Sequence, residues 1–348
     1  MRQPAGRRRL FGTLSLVSEL VGAVLTRPSV DIGAAAAMLR DVWGIDGALR
    51  PLPSERDRNF AVAVDRIDRY VLKVSNADED PSFLELQHRA LERLAAAGVP
   101  CQRVIPTAFG REVADIGPAG APCLVRLLTW LPGQPLAAIE PANRSPALLS
   151  DLGRVMGRTA TGLAGFDHPA AHRAFQWAVE ESLDVIATHA SAVTDRERAT
   201  LLDRWRTRLA PLAAAFPNLR HGVIHNDAND HNVLVADDAQ SICGLLDLGD
   251  AVWSIVVNEL AVASAYAALG AADPVATIDL VRAGFEAARP LDPAESVVLL
   301  ELVALRLVTS VALSAHQSSL APDDPYLTVS EAPAWALLER LIAIEPAG

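Results

Sequence analysis

Disulfide chemistry is the first thing this chain lacks. It holds three cysteines in 348 residues. Cys101, Cys123 and Cys243 are odd in number and stand at no metal-type spacing, so they read as reduced, buried thiols of a cytoplasmic protein. Positive charge is also scarce: 31 Lys and Arg face 42 Asp and Glu, for a net charge of −11. Nucleic-acid binding calls for clustered cations, so the balance argues against that partner and mildly favours a small cationic one. No segment suits a membrane. Arg7-Arg8-Arg9 ahead of Leu10 to Leu25 resembles the basic and apolar parts of a secretory leader. Glu19 interrupts that stretch, however, Ser and Gly dilute it, and no A-x-A site follows. It is also too short and too polar to span a bilayer. Residues 1–30 are therefore read as a lead-in segment. Internal repeats are missing as well, and nothing in the sequence marks an oligomeric state.

What is present is apolar mass: 51% of residues are hydrophobic, enough for a sizeable core in one large domain or two lobes. Asp31 to Trp43 carries Ala35, Leu39 and Val42 on one helical stripe. Strand-like runs follow at Phe60–Val64 and Tyr70–Val74, with a polar turn between them. Asp80-Pro81 opens a helix, since Asp caps and Pro fits a first turn. Leu84, Leu91 and Leu94 form its inner face, and Gly98-Val99-Pro100 closes it. Leu124 to Leu131 is a further strand, stopped by Pro132-Gly133. From Ser145 the pattern becomes helical, over 147–164, 173–190, 195–215, 257–270, 274–288, 293–315 and 331–344. The expected fold class is α+β: a β-rich N-terminal lobe over 31–128 and a larger, mainly helical C-terminal lobe over 129–348.

Inside the helical half lies His225-Asn226-Asp227-Ala228-Asn229-Asp230-His231-Asn232, followed by Asp247-Leu248-Gly249. This is H-x-D-x-x-x-x-N and then D-x-G, the order and spacing of a kinase catalytic loop and its metal-binding aspartate. Between them, Val233–Val235 and Ile242–Leu246 flank the polar Asp237–Gln240 and read as a hairpin. Pairing Val235 with Gly244 and Leu234 with Leu245 sets Asn232 opposite Asp247. Facing side chains lie about 5 Å apart at Cβ. One amide oxygen and one carboxylate at that separation suffice, with two phosphates, for Mg²⁺. Asp227 is then the residue that accepts or orients the proton of an attacking hydroxyl. His225 braces the loop. A metal-hydrolase reading of His225, Asp227 and His231 is disfavoured, because these short-range ligands lack a helical or finger-like spacing.

The donor, ATP or GTP, needs a second set of residues. Lys73, in an otherwise apolar strand ahead of a helix, is the expected clamp on its phosphates. Two helix residues compete as its partner. Gln87 shares the apolar stripe, whereas Glu85 lies about 200° away but offers a charge; Gln87 is preferred on position. The loop Ser54–Phe60 has no glycine, so phosphate contacts fall to backbone N–H groups and to the Ser54 or Asn59 side chain. Backbone groups of Leu128, Thr129 and Trp130 are the expected adenine contacts.

These residues, together with Glu85-Leu86-Gln87-His88 and Val125 to Gly133, resemble the aminoglycoside phosphotransferase family, which includes choline and homoserine kinases. Within it they are most similar to the hydroxylysine kinase branch and to domains found ahead of class III aminotransferases. The likeness spans roughly residues 50–260. It implies a bilobal, protein-kinase-like fold, Asp227 as catalytic base, Asn232 and Asp247 on Mg²⁺, and Lys73 on phosphate. Members of the hydroxylysine branch look to have Gln at the Gln87 position. Two departures stand out: Leu248 replaces the usual Phe, and Asn226 stands where Gly is frequent. No aminotransferase domain follows within these residues, so the chain is expected to act alone or with a separate partner.

The acceptor is expected between the catalytic loop and the later helices, where Asp230, Asp250 and Glu259 offer carboxylates for an ammonium. Each has a plainer role available: Glu259 as a brace for the loop, Asp250 as a cap. An amino-acid acceptor also needs a cation for its carboxylate, and Arg126 is a weak candidate. The first expectation is a kinase for a hydroxyl-bearing amine, best a hydroxy amino acid such as hydroxylysine. An aminoglycoside kinase is the alternative with the same chemistry, and a nucleotide-binding module without turnover is the alternative of another class.

Overall fold

The computed structural model describes residues 28–54, 57–76, 78–116, 123–320 and 331–344. The lead-in segment expected over 1–30 falls almost wholly outside them. Helix α1 (Ile32–Trp43) starts at Asp31, whose carboxylate accepts the Ala34 N–H at 2.7 Å, and stops at Gly44 in the left-handed region. Six strands follow: β1 (Ala48–Leu52), β2 (Arg58–Val64), β3 (Ile67–Val74), β4 (Val104–Ile105), β5 (Ala114–Ile116) and β6 (Cys123–Thr129). They form one antiparallel sheet of order β1-β2-β3-β6-β4, with β5 also on β6. Leu39 and Trp43 pack on Phe60, Leu72, Val125 and Leu127 as a small separate core. Helix α2 (Pro81–Ala96) interrupts the strands and buries Leu84, Gln87, Leu91 and Leu94 on the face that the stripe predicts.

Beyond Thr129 the chain is mainly helical: α3 (Pro146–Gly162), α4 (Ser182–His189), α5 (Arg196–Leu209), α6 (Asn258–Ala268), α7 (Pro274–Ala288), α8 (Pro293–Leu320) and α9 (Glu331–Leu341). Four short strands carry the loops of interest: β7 (Gln134–Pro135) with β9 (Val233–Val235) and β10 (Ile242–Leu245), and β8 (His221–Ile224) with β11 (Val252–Ile255). Helix α8 is long and apolar enough to cross a membrane, but it is a core helix packed on α4, α6 and α9. Two expected helices are shorter than their patterns. Residues 173–178 form no helix, because Arg173 and Trp177 turn their hydrogen bonds towards the catalytic segments. The 195–215 pattern ends at Leu209 and tightens into a 3₁₀ turn where Pro211 removes an N–H.

Candidate active site

Strand β8 delivers the catalytic loop at the centre of the molecule. His225 is 1% exposed. Its Nδ1 accepts the Asp227 N–H at 3.2 Å, and its Nε2 donates to the Leu246 carbonyl at 2.8 Å. Both ring nitrogens are thus spent on backbone, and burial pushes its pKa down to about 4. It braces the loop as the neutral Nε2–H tautomer. Asn226 has φ +66°, a left-handed conformation that Asn tolerates and Gly adopts freely. Its amide donates to Trp177 O and accepts from Asn258, so the departure from Gly keeps the backbone and adds two anchors. Glu259 is fully buried and accepts the N–H groups of His225 and Asn226. Burial raises its pKa to about 7. It therefore supports the loop from beneath. The expectation of an acceptor contact there is corrected, since a carboxylate so enclosed has no face to offer.

Asp227 emerges from that support into a ring of donors. Asn229 Nδ2 reaches its two carboxylate oxygens at 3.0 and 3.1 Å, and Asn232 Nδ2 reaches Oδ2 at 2.6 Å. Arg306, from α8, donates Nη2 to Oδ1 at 3.1 Å. Burial and the nearby Asp250 push the Asp227 carboxyl well above the usual range, and Arg306 pulls it back. Because Asn232 spends its nitrogen on Asp227, its oxygen is the atom left for a cation. The register differs from the expected one. Leu234 faces Gly244 and Val233 faces Leu245, with a bulge between Ile242 and Gly244. Asn232 consequently meets Leu246, whose N–H its backbone carbonyl accepts at 2.8 Å, and not Asp247. The extra residue of the bulge was invisible to simple counting. Asp247 follows at φ +57°, with Oδ1 accepting the Gly249 N–H. Its side chain is 46% exposed. Lys73 and Arg126, against the opposing effect of burial, hold its carboxyl well below the usual range. An ionised carboxylate open to the cleft and an Asn232 amide oxygen not spent on Asp227 are donor types that suit a hard cation. Among the described residues no three His, Cys, Asp or Glu side chains cluster as a metal site, so any cation here draws on Asn and phosphate oxygens as well.

The sheet supplies the opposite wall. Lys73 on β3 faces Asn59 on β2 and Arg126 on β6, so the three share one cross-strand row. Lys73 is 7% exposed and its Nζ reaches Asp247 Oδ2 at 3.4 Å, which ties sheet to loop across the cleft. Asn59 Oδ1 and Arg126 Nε are buried without a hydrogen-bond partner. Arg126 thus stands beside Lys73 and not in the acceptor region, and its place in the row was not read from sequence. Another missed signal is compositional: Lys73 is the only lysine in the chain. Gln87 lies on the buried face of α2, whereas the Glu85 side chain is 64% exposed and nearest His168. Ser54 Oγ accepts the Asp57 N–H, which tightens the loop beneath the sheet edge; its neighbours Glu55 and Arg56 lie outside the described residues. At the expected adenine contacts two backbone donors are already used. The N–H groups of Thr129 and Trp130 bond Arg103 O and Trp130's partner Arg69 O, and Leu128 sits inside the sheet. Those two donors close the fold, which leaves the backbone carbonyls as the groups for a base.

One further carboxylate acts on Asp227, and another acts on Tyr266. Asp250 acts electrostatically on both Asp227 and Arg306. Asp230 is 9% exposed, with a buried Oδ1 that lacks a hydrogen-bond partner. Arg306 was not anticipated. A lone Arg inside an apolar helix has no spacing motif; the available signal was that a buried charge demands a partner.

Comparison with known proteins bears on the family and the fold. The profile of the "Phosphotransferase enzyme family" matches residues 48–293. Hydroxylysine kinase of Bos taurus is 30% identical over 345 residues, covering 91% of this chain and 90% of its own. Among solved structures, a microcompartment-associated aminopropanol kinase aligns with a TM-score of 0.65 at 20% identity, over 90% of this chain and 98% of its own. An amicoumacin kinase, solved with AMP-PNP, Ca²⁺ and its antibiotic, aligns with a TM-score of 0.63 at 15% identity, over 95% and 94% of the two chains. These structural likenesses establish the kinase-like α+β fold.

Proposed function

We propose, from the premise that this chain belongs to the phosphotransferase enzyme family and is a kinase with an alcohol acceptor, that it transfers the γ-phosphoryl of ATP (or GTP) to the hydroxyl of a hydroxy amino acid of the hydroxylysine type. The observation that carries the reading is the paired arrangement of Asp227 among three side-chain donors and Asp247 against Lys73. Asp227 orients the acceptor hydroxyl and takes its proton as the oxygen bonds to γ-phosphorus. The bond from γ-phosphorus to the bridging oxygen breaks, and the nucleoside diphosphate leaves. Lys73 and Arg126 neutralise the phosphates. Asn232 and Asp247 are the residues that would hold Mg²⁺, which when bound offsets charge on the phosphate oxygens. Asn59, with its unmatched Oδ1 in the Lys73 row, and Ser54 are the loop side chains assigned to phosphate. Gln87 remains the preferred helix residue near Lys73.

Support for an amino acid over an aminoglycoside comes from Arg306. A guanidinium bonded to the catalytic carboxylate opposes an acceptor carrying several positive charges. Phosphate transfer from labelled ATP into a panel of hydroxy amino acids, amino alcohols and aminoglycosides tests the assignment. The hydroxy amino acids are expected to be labelled fastest. Asp227→Ala is expected to lower kcat by about 10²–10⁴ with nucleotide affinity kept, whereas Asp247→Ala weakens Mg-nucleotide binding. Equal, mild losses in both variants would contradict the roles.

A further inference from the structure

Arg306 has more hydrogen-bonding capacity than the protein uses. It lies on α8, 6% exposed, with its guanidinium 4.4 Å from the Trp177 ring centre and 5.7 Å from that of Tyr266. Nη2 is spent on Asp227 and the guanidinium also interacts with the Tyr266 hydroxyl, but Nε and Nη1 are buried with no hydrogen-bond partner at ordinary geometry. Unmatched donors on a buried cation are costly, and native proteins rarely keep two on one group without a purpose. We propose that Arg306 anchors the carboxylate of the acceptor, so that this site selects hydroxyl-bearing amino acids over amino alcohols and aminoglycosides. The inference rests on the phosphotransfer reading above and assigns its acceptor class to a residue.

Three observations converge on it. A carboxylate is the anion that a guanidinium fork matches, and the match strengthens away from water. Trp177 and Tyr266 fix the guanidinium plane. Carboxylates stand around the same centre: Asp250 acts on Arg306 and Asp227, and Asp230, whose charge reaches Tyr266, keeps a buried Oδ1 without a donor. An amino acid head carries an ammonium and a carboxylate on one carbon, so it offers a cation to the carboxylates of this region and an anion to Arg306. An amino alcohol satisfies only the acceptors, and a polycation adds charge against Arg306. Because Nη2 stays on Asp227, the anchored carboxylate and the catalytic one share a guanidinium, so the acceptor's side chain must fold back for its hydroxyl to reach Asp227. Both spare nitrogens lie below the surface, so the contact requires the turn bearing Trp177, which belongs to no helix or strand, to yield. Arg306 also lies beyond residue 293, where the general family match ends.

The test uses the full chain and three acceptors: hydroxylysine, its carboxamide, and the amino alcohol left by removing its carboxylate. Wild type is expected to lose about 100-fold in kcat/KM with either analogue, since a site built to bond a group rejects its absence. In Arg306→Gln the acid should fall to within about fivefold of the amide while the nucleotide KM stays unchanged. If that variant does not fold, Arg306→Lys decides, with the acid-to-amide preference shrinking about tenfold for want of the planar fork. Wild type treating all three alike would overturn the anchor and leave the kinase assignment intact. So would Arg306→Gln slowing all three equally, the mark of a residue that only positions Asp227. No transfer to any of them would refute the acceptor class, and the anchor with it.

Discussion

Lys73 shows how much a single position can decide. Every other cationic side chain in 31 Lys and Arg is arginine, yet the buried wall of the cleft keeps an ammonium. A compact point charge fits between Asn59 and Arg126 and still reaches Asp247, where a planar guanidinium adds volume and redirects its donors. Lys73→Arg is accordingly expected to lower kcat/KM by about 10²-fold or more, measured by steady-state phosphorylation with nucleotide varied. His225 and Glu259 give a second test at this scale. Glu259 rises from 4.5 to about 7 by burial, so the folded protein holds a proton that the unfolded chain releases. Stability from it is complete below pH 4.5 and lost as pH rises through about 7. His225 falls from 6.5 to about 4, so its share is complete above pH 6.5 and lost as pH falls through about 4. Urea unfolding across this range is expected to show the advantage of wild type over Glu259→Gln shrinking as pH rises. Its advantage over His225→Gln should grow instead, each by roughly 1–3 kcal/mol. Parallel changes in the two variants would disprove the assignment. The loop residues were legible because H-x-D-x-x-x-x-N and D-x-G are local spacings. Arg306 was not, because it meets Asp227 across 79 residues of chain.

At the scale of elements, α3 holds the catalytic hairpin, and α7 holds α3. Asp151 on α3 accepts the Ile242 N–H of β10 at 2.8 Å. Behind it, α3 and α7 touch backbone to backbone. A Cβ on Gly153 would stand 1.8 Å from Val281 O, and one on Gly284 would stand 1.9 Å from Ser150 O. Neither overlap can be relieved by a rotamer, so Gly153→Ala and Gly284→Ala are each expected to destabilise by about 3 kcal/mol or more. Gly222→Ala meets only Val256 Cγ2, at 3.5 Å, and should cost under about 1 kcal/mol. Thermal midpoints of the three variants check the contrast. Sequence periodicity found most helices because each has one apolar face, as the Leu84–Leu91–Leu94 stripe of α2 illustrates. It missed what tertiary hydrogen bonds decide. The hairpin bulge moved Asn232 from Asp247 to Leu246, and residues 173–178 gave up a helix to reach Gly249, Ala251 and Asn226.

At the scale of the whole molecule, the α+β order was legible from the change of pattern, strand-rich up to residue 129 and mainly helical after 145, and the Lys73–Asp247 pair ties the sheet to the helical part. What the acidic net charge does for binding depends on where the acceptor is held. A charge of −11 spread over the surface attracts any cation from a distance. That attraction is screened within about 10 Å at 0.1 M salt and about 3 Å at 1 M, while buried pairs are screened far less. If Arg306 and the carboxylates around Asp227 hold the acceptor, binding rests on desolvated contacts. Raising salt from about 0.05 to 0.5 M should then change the KM for hydroxylysine by less than about threefold. An aminoglycoside drawn to the acidic exterior should instead lose more than about tenfold over the same range. A steep salt dependence for hydroxylysine would mean that the surface field, and not the buried residues around Arg306, does the recognising.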